Sequence, residues 1–103
     1  MRLECTADPR AWADVVDVWT RKMLREFSDT VATGDEEVIR AYYRRVVKSA
    51  HLCDVDGNEY DLDAILSIDN FDNVDAAVAN WWGGLPFLAY QERQKMGEAK
   101  RVS

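Results

Sequence analysis

Between Ser49 and Glu92 the chain has no lysine and no arginine, although it places nine acidic residues there. That imbalance excludes this stretch as a phosphate-binding surface, so duplex nucleic acid is not an expected partner. Histidine occurs once, as His51, which leaves no two-histidine metal set. The two cysteines, Cys5 and Cys53, show no spacing of a zinc site, a thioredoxin-like pair or a disulfide scaffold. A reduced setting follows as the expectation, with the cytoplasm as the compartment. No apolar run approaches a membrane span, and Met1 to Arg10 lacks the hydrophobic stretch of a signal peptide.

What is present fits one globular domain. The 103 residues are 48% hydrophobic and 31% charged, which excludes disorder throughout. The ends, residues 1–7 and 97–103, are expected to fray. The net charge of -6 conceals a layout in three parts. Residues 1–48 are balanced, residues 49–92 are acidic, and residues 93–103 are basic. A basic partner is therefore favoured, mainly through its association rate.

Periodicity predicts helices. Asp8-Pro9 is a suitable helix start. From there Trp12, Val15, Val16, Trp19, Met23, Phe27 and Val31 recur at three- and four-residue steps, the pattern of one helical face. The preferred reading is one helix over 9–32. A competing reading takes the β-branched run Val15 to Trp19 as extended and lets Thr20 cap a shorter helix. Thr33-Gly34 ends the segment. Asp35 caps a second helix, with Val38, Ile39, Tyr42, Val46 and Ala50 inward, packed antiparallel to the first. Asp-Gly-Asn within His51 to Tyr60 is a turn, and its flanks can pair as a small hairpin. Ala64 to Ile68 suggests one helical turn. Asp69 to Asn73 offers caps for a helix carrying Phe71, Val74, Ala77, Val78 and Trp81. Gly83-Gly84 stops that helix, Pro86 begins another, and Gly97 breaks it. The expected fold is mainly α: a bundle of three to four helices with an acidic turn or mini-hairpin near residues 52–62.

Chemistry is harder to find. Asp54-Val55-Asp56-Gly57-Asn58 matches the first half of an EF-hand loop. Glu59, Asp61 and Ile65 then occupy positions that need Gly, an aliphatic residue and Glu, so an acidic turn is the better reading. His51 and Cys53 would share a face of an extended segment, as a nucleophilic pair requires and as two semi-buried residues also would. No carboxylate stands in an apolar context suited to acid–base work. No cofactor, metal or catalytic residue is expected. Trp81 and Trp82 point about 100° apart on a helix. Trp82, with Leu85 and Phe87, can line an apolar patch beside the glycine pair, or the core can wrap that helix end. With Asp54 and Asp56 as acidic contacts, these five residues are the expected partner-binding set.

The order of features resembles that of bacteriophage tail assembly chaperones. The matching stretches are W-T-R-K-M-L-R-E-F at Trp19 to Phe27, A-T-G-D-E-E-V-I-R at Ala32 to Arg40, D-V-D-G-N at Asp54 to Asn58, and L-D-A-I-L-S-I-D with a short closing helix. The chain departs from the family where His51-Leu52-Cys53 precedes the acidic turn. The resemblance implies a non-enzymatic helical binder that keeps a tape-measure protein soluble, helps recruit tail tube subunits, and self-associates. The alternative is an acidic inhibitor whose carboxylates between Asp54 and Asp75 imitate nucleic-acid phosphates and block a basic enzyme.

Overall fold

The computed structural model describes residues 1–68 and 70–102, giving the backbone path alone for 97–102. In chain order the elements are β1 (Arg2–Glu4), β2 (Trp12–Val15), α1 (Arg21–Ala32), α2 (Glu36–Val46), β3 (Val47–Cys53), β4 (Glu59–Asp61), α3 (Leu62–Ser67), α4 (Ala76–Gly83) and α5 (Leu85–Val102). The four strands form one antiparallel sheet in the order β1-β2-β3-β4. The fold is therefore α+β, which corrects the expected helical bundle.

The correction begins at β2. Ala11, Ala13 and Val15 are buried while Trp12 and Asp14 are half-buried between them, a period of two that defines a strand. The outer side chains are held as well. Arg2 lies 4.1 Å above the Trp12 ring and pairs with Asp14 through two hydrogen bonds of 3.0 and 3.1 Å. Leu3 pairs with Ala13 and is buried, so residues 2–4 are an edge strand, not a frayed end. Asp8-Pro9 does not start a helix. Instead the Arg10 and Ala11 amides donate to the Asp8 carboxylate and carbonyl, closing the β1–β2 turn.

Thr20 caps α1: its hydroxyl accepts from the Met23 amide at 3.2 Å. The competing reading of a strand followed by a shorter helix holds in outline, with the strand at Trp12–Val15 instead of Val15 to Trp19. Thr20→Ala should cost about 1 kcal/mol, the usual worth of such a cap. Urea unfolding of the two proteins checks this, and an unchanged midpoint would contradict the assigned start of α1.

The next boundaries follow the sequence closely. Gly34 takes a positive φ of 66° after α1, and the Asp35 carboxylate caps α2 through the Glu37 amide at 3.0 Å. Helices α1 and α2 then pack as an antiparallel pair. Tyr42 donates to the Met23 carbonyl at 3.0 Å, and Arg45 reaches Glu26 at 2.9 Å. Ala50, expected on the inner face of α2, lies instead in β3, where it pairs with Ala13. The change of structure falls at the β-branched pair Val46-Val47, since such residues fit a sheet better than a helix.

The expected hairpin forms between β3 and β4, with Gly57 at φ 87° in its turn. Asp61 caps α3 and Asp75 caps α4, each through a 2.9 Å bond from a backbone amide. Asp75 replaces the expected caps at 69–73, of which Asp69 lies outside the described residues. Phe71 and Val74 consequently precede α4. Gly84 ends α4 as expected, and α5 passes through Gly97 without a break. One core joins the inner sheet face (Leu3, Ala13, Leu52) to Phe27, Tyr43, Val78, Trp82, Leu85 and Ala89.

Candidate functional site: an apolar strip beside the glycine pair

Gly83 is the last residue of α4 and separates two hollows. A Cβ built at this position meets nothing within 4 Å. On one side lies a groove of about 520 Å³, walled by Phe27, Val31, Ile39, Leu66, Phe71 and Trp82. Its rim carries Glu36, Arg40 and Asn70. Arg40 is fixed there by Glu36 at 3.2 Å, Glu37 at 3.0 Å and the Ile68 carbonyl at 3.3 Å. On the other side a hollow of about 730 Å³ is bordered by Trp81, Gly84, Phe87 and Leu88. The Trp81 indole N–H is buried and has no acceptor among the described residues.

Phe87 borders the second hollow and touches a wall of the first. It is 44% exposed, and its ring meets Phe27 edge-on at 5.5 Å. Val31 is also exposed, at 47%. An apolar strip thus runs from Val31 past Gly83 to Phe87 and Leu88. A polar-rimmed apolar groove flanked by exposed apolar side chains is one form that a binding surface takes.

Of the five residues expected to bind a partner, the structure puts Phe87 and Asp56 at the surface. Trp82 and Leu85 are buried, 5% and 1% exposed, which corrects their expected place in a surface patch. Trp82 packs on Tyr43 with ring centroids 5.0 Å apart, and the Tyr43 hydroxyl donates to the Trp82 carbonyl at 2.6 Å. Burial there pushes the Tyr43 phenol well above its ordinary pKa. Both tryptophans are inside because the core wraps the end of α4. Trp82 still forms a groove wall. Residues such as Ile39 and Leu66, distant in sequence from the glycine pair, complete the groove.

Asp54 is buried too, and its carboxylate organises the turn. It accepts from the Asp56 and Asn58 amides at 2.9 Å each, from the Asn58 side chain at 3.0 Å and from the Tyr60 hydroxyl at 2.9 Å. These donors, Asn58 foremost, hold its pKa well below the usual carboxylate range. Tyr60, donating to that carboxylate, is raised. A cation would have to displace these donors from both oxygens, so the EF-hand likeness ends at the sequence. Other acidic residues are also engaged within the fold. Asp56 accepts from Asn73 at 2.9 Å, Asp63 pairs with Arg44 at 2.9 Å, and Asp61 and Asp75 are caps.

A second cluster lies on the outer sheet face. His51 and Cys53 do share that face, and Glu59 joins them from β4. The ligand atoms of the three lie within 4.8 Å of one another, so among the described residues this is a group able to hold a metal ion.

No described helix is long and apolar enough to cross a membrane. Compared with protein-family models, curated proteins and solved structures, the chain matches none.

Proposed function

We propose that this protein is a non-enzymatic binding module that holds the apolar face of a helical segment of a partner polypeptide along the strip beside Gly83. The observation that carries this reading is the apolar groove beside Gly83, with the exposed Phe87 ring set against its Phe27 wall and a second, more polar hollow beyond the glycine. Helix-in-groove recognition needs such a surface, with anchors every three or four residues entering the hollows. The acidic residues 49–92 favour a partner with basic side chains flanking its apolar face.

The tail-assembly-chaperone reading fits this proposal. Its partner would be an apolar, helix-forming tape-measure protein, with tube subunits joining later and self-association possible through the same strip. Copurification from the native context, followed by mass spectrometry, tests it. A long helical protein retained at moderate salt is the expected result, because apolar burial survives screening. Recovery of a basic nucleic-acid enzyme that is lost as salt rises would instead favour the phosphate-mimic reading. The engagement of Asp54, Asp61, Asp63 and Asp75 within the fold weighs against that alternative.

A further inference from the structure

We infer that His51, Cys53 and Glu59 form a zinc-binding site on the outer face of the sheet. The register places them together. His51 and Cys53 are alternate residues of β3, and Glu59 is directly opposite Cys53 on β4. Cross-strand partners of this kind bring their Cβ atoms to about 5 Å on one face.

The histidine is prepared as a ligand. Its Nδ1 lies 2.6 Å from the Arg10 carbonyl oxygen. A carbonyl only accepts, so Nδ1 carries a hydrogen, and the neutral ring keeps its lone pair on Nε2. The ring is also stacked on Trp12, at 6.2 Å between centroids and 15° between planes. A backbone carbonyl on the far nitrogen is the usual support of a metal-bound histidine, fixing both tautomer and orientation.

Nε2 then faces Glu59 Oε1 at 3.4 Å. A neutral Nε2 and an ionised carboxylate are both acceptors, so the pair needs a positive charge between them. A proton on Nε2 would satisfy it by making an ion pair. A metal ion would satisfy it and also engage the Cys53 sulfur, which the proton leaves aside. Zinc bonds of about 2.0 Å to nitrogen and oxygen and 2.3 Å to sulfur set tetrahedral ligand atoms roughly 3.5 Å apart. The His51–Glu59 separation already matches, and the Glu59 side chain, 76% exposed, has room to close toward the sulfur. Imidazole, thiolate and carboxylate together select zinc over the hard cations calcium and magnesium. One thiolate and one carboxylate balance the charge of a divalent ion. The cysteine loses its proton to solvent on binding, and water completes the fourth position.

The test uses the full chain, chelator-treated and reduced, titrated with Co²⁺ and then Zn²⁺ alone. One equivalent of Co²⁺ should give tetrahedral d–d bands and a sulfur-to-cobalt charge-transfer band, both removed by Zn²⁺. Cys53→Ser should abolish the charge-transfer band, and Cys5→Ala should leave it. Glu59→Gln, at an exposed position, should fold normally by circular dichroism and bind Zn²⁺ at least about 10-fold more weakly. Absence of a charge-transfer band in the parent protein would overturn the site and leave His51 and Glu59 as an ion pair. So would an unchanged Zn²⁺ affinity in folded Glu59→Gln.

Discussion

Trp82→Ala should lower the unfolding free energy by about 3–5 kcal/mol, the usual range for a buried large aromatic. Trp82 is 5% exposed and sits against Tyr43 and Trp81, with centroids 5.0 and 6.2 Å away. Removing the indole takes from Tyr43 the nearest of its ring contacts and opens the groove wall into the core. A domain of this size has about 5–15 kcal/mol of stability in total, so the variant should be partly unfolded near body temperature. Urea unfolding followed by far-ultraviolet circular dichroism measures the loss without relying on the remaining tryptophans. A loss below about 1 kcal/mol, typical of surface substitutions, would place the ring at the surface.

Asp54→Ala should lower Tm by about 10 °C near neutral pH, since two amides, one side-chain amide and one phenol lose a charged acceptor together. The effect should depend on pH in a definite direction. The folded-state pKa of Asp54 lies below its ordinary value of 3.8. A carboxylate depressed on folding stabilises the protein above its unfolded pKa, and that contribution fades as pH falls through about 4 toward the folded value. The Tm difference between wild type and variant should therefore be constant from pH 7 to 5 and narrow below pH 4. A difference that stays constant down to pH 2 would contradict the assigned hydrogen bonds. Because Asp54 fixes the β3–β4 turn, the same variant should also loosen Glu59, which begins β4.

Local signals in the sequence located much of this fold. Gly34 with Asp35, the Asp-Gly-Asn turn, the Gly83-Gly84 stop and the start at Pro86 all act through their own backbone preferences, and all fall where expected. The sheet was less legible because its strands are short and paired across long separations. Trp12, Val15, Val16 and Trp19 happen to fall at helical spacing, while the burial of Ala11, Ala13 and Val15 follows a period of two. Ala50 similarly continues the helical pattern of α2 past Val46, although the chain has already turned into β3 at Val47. Alanine gives little hydrophobic signal in a sequence, and three of the buried sheet positions or their neighbours are alanines, Ala11, Ala13 and Ala50.

The candidate sites divide in the same way. Phe87 was legible from its place beside the glycine pair, but the burial of both Trp81 and Trp82 depended on long-range packing such as that of Tyr43 on Trp82. His51 and Cys53 were visible as an alternating pair. Glu59 joined them only through strand pairing, which spacing along the chain does not encode.

Copurification from the native context with wild type and Gly83→Lys in parallel tests the proposed strip most directly. Lysine at this position meets no neighbouring atom within 4 Å of its Cβ and replaces a poor helix former with a better one, so the variant should fold at least as well as wild type. Its charged head would stand between the two hollows. The account predicts that wild type retains an apolar helical partner at moderate salt and that Gly83→Lys loses it. Equal recovery of that partner by a folded Gly83→Lys protein would contradict the account.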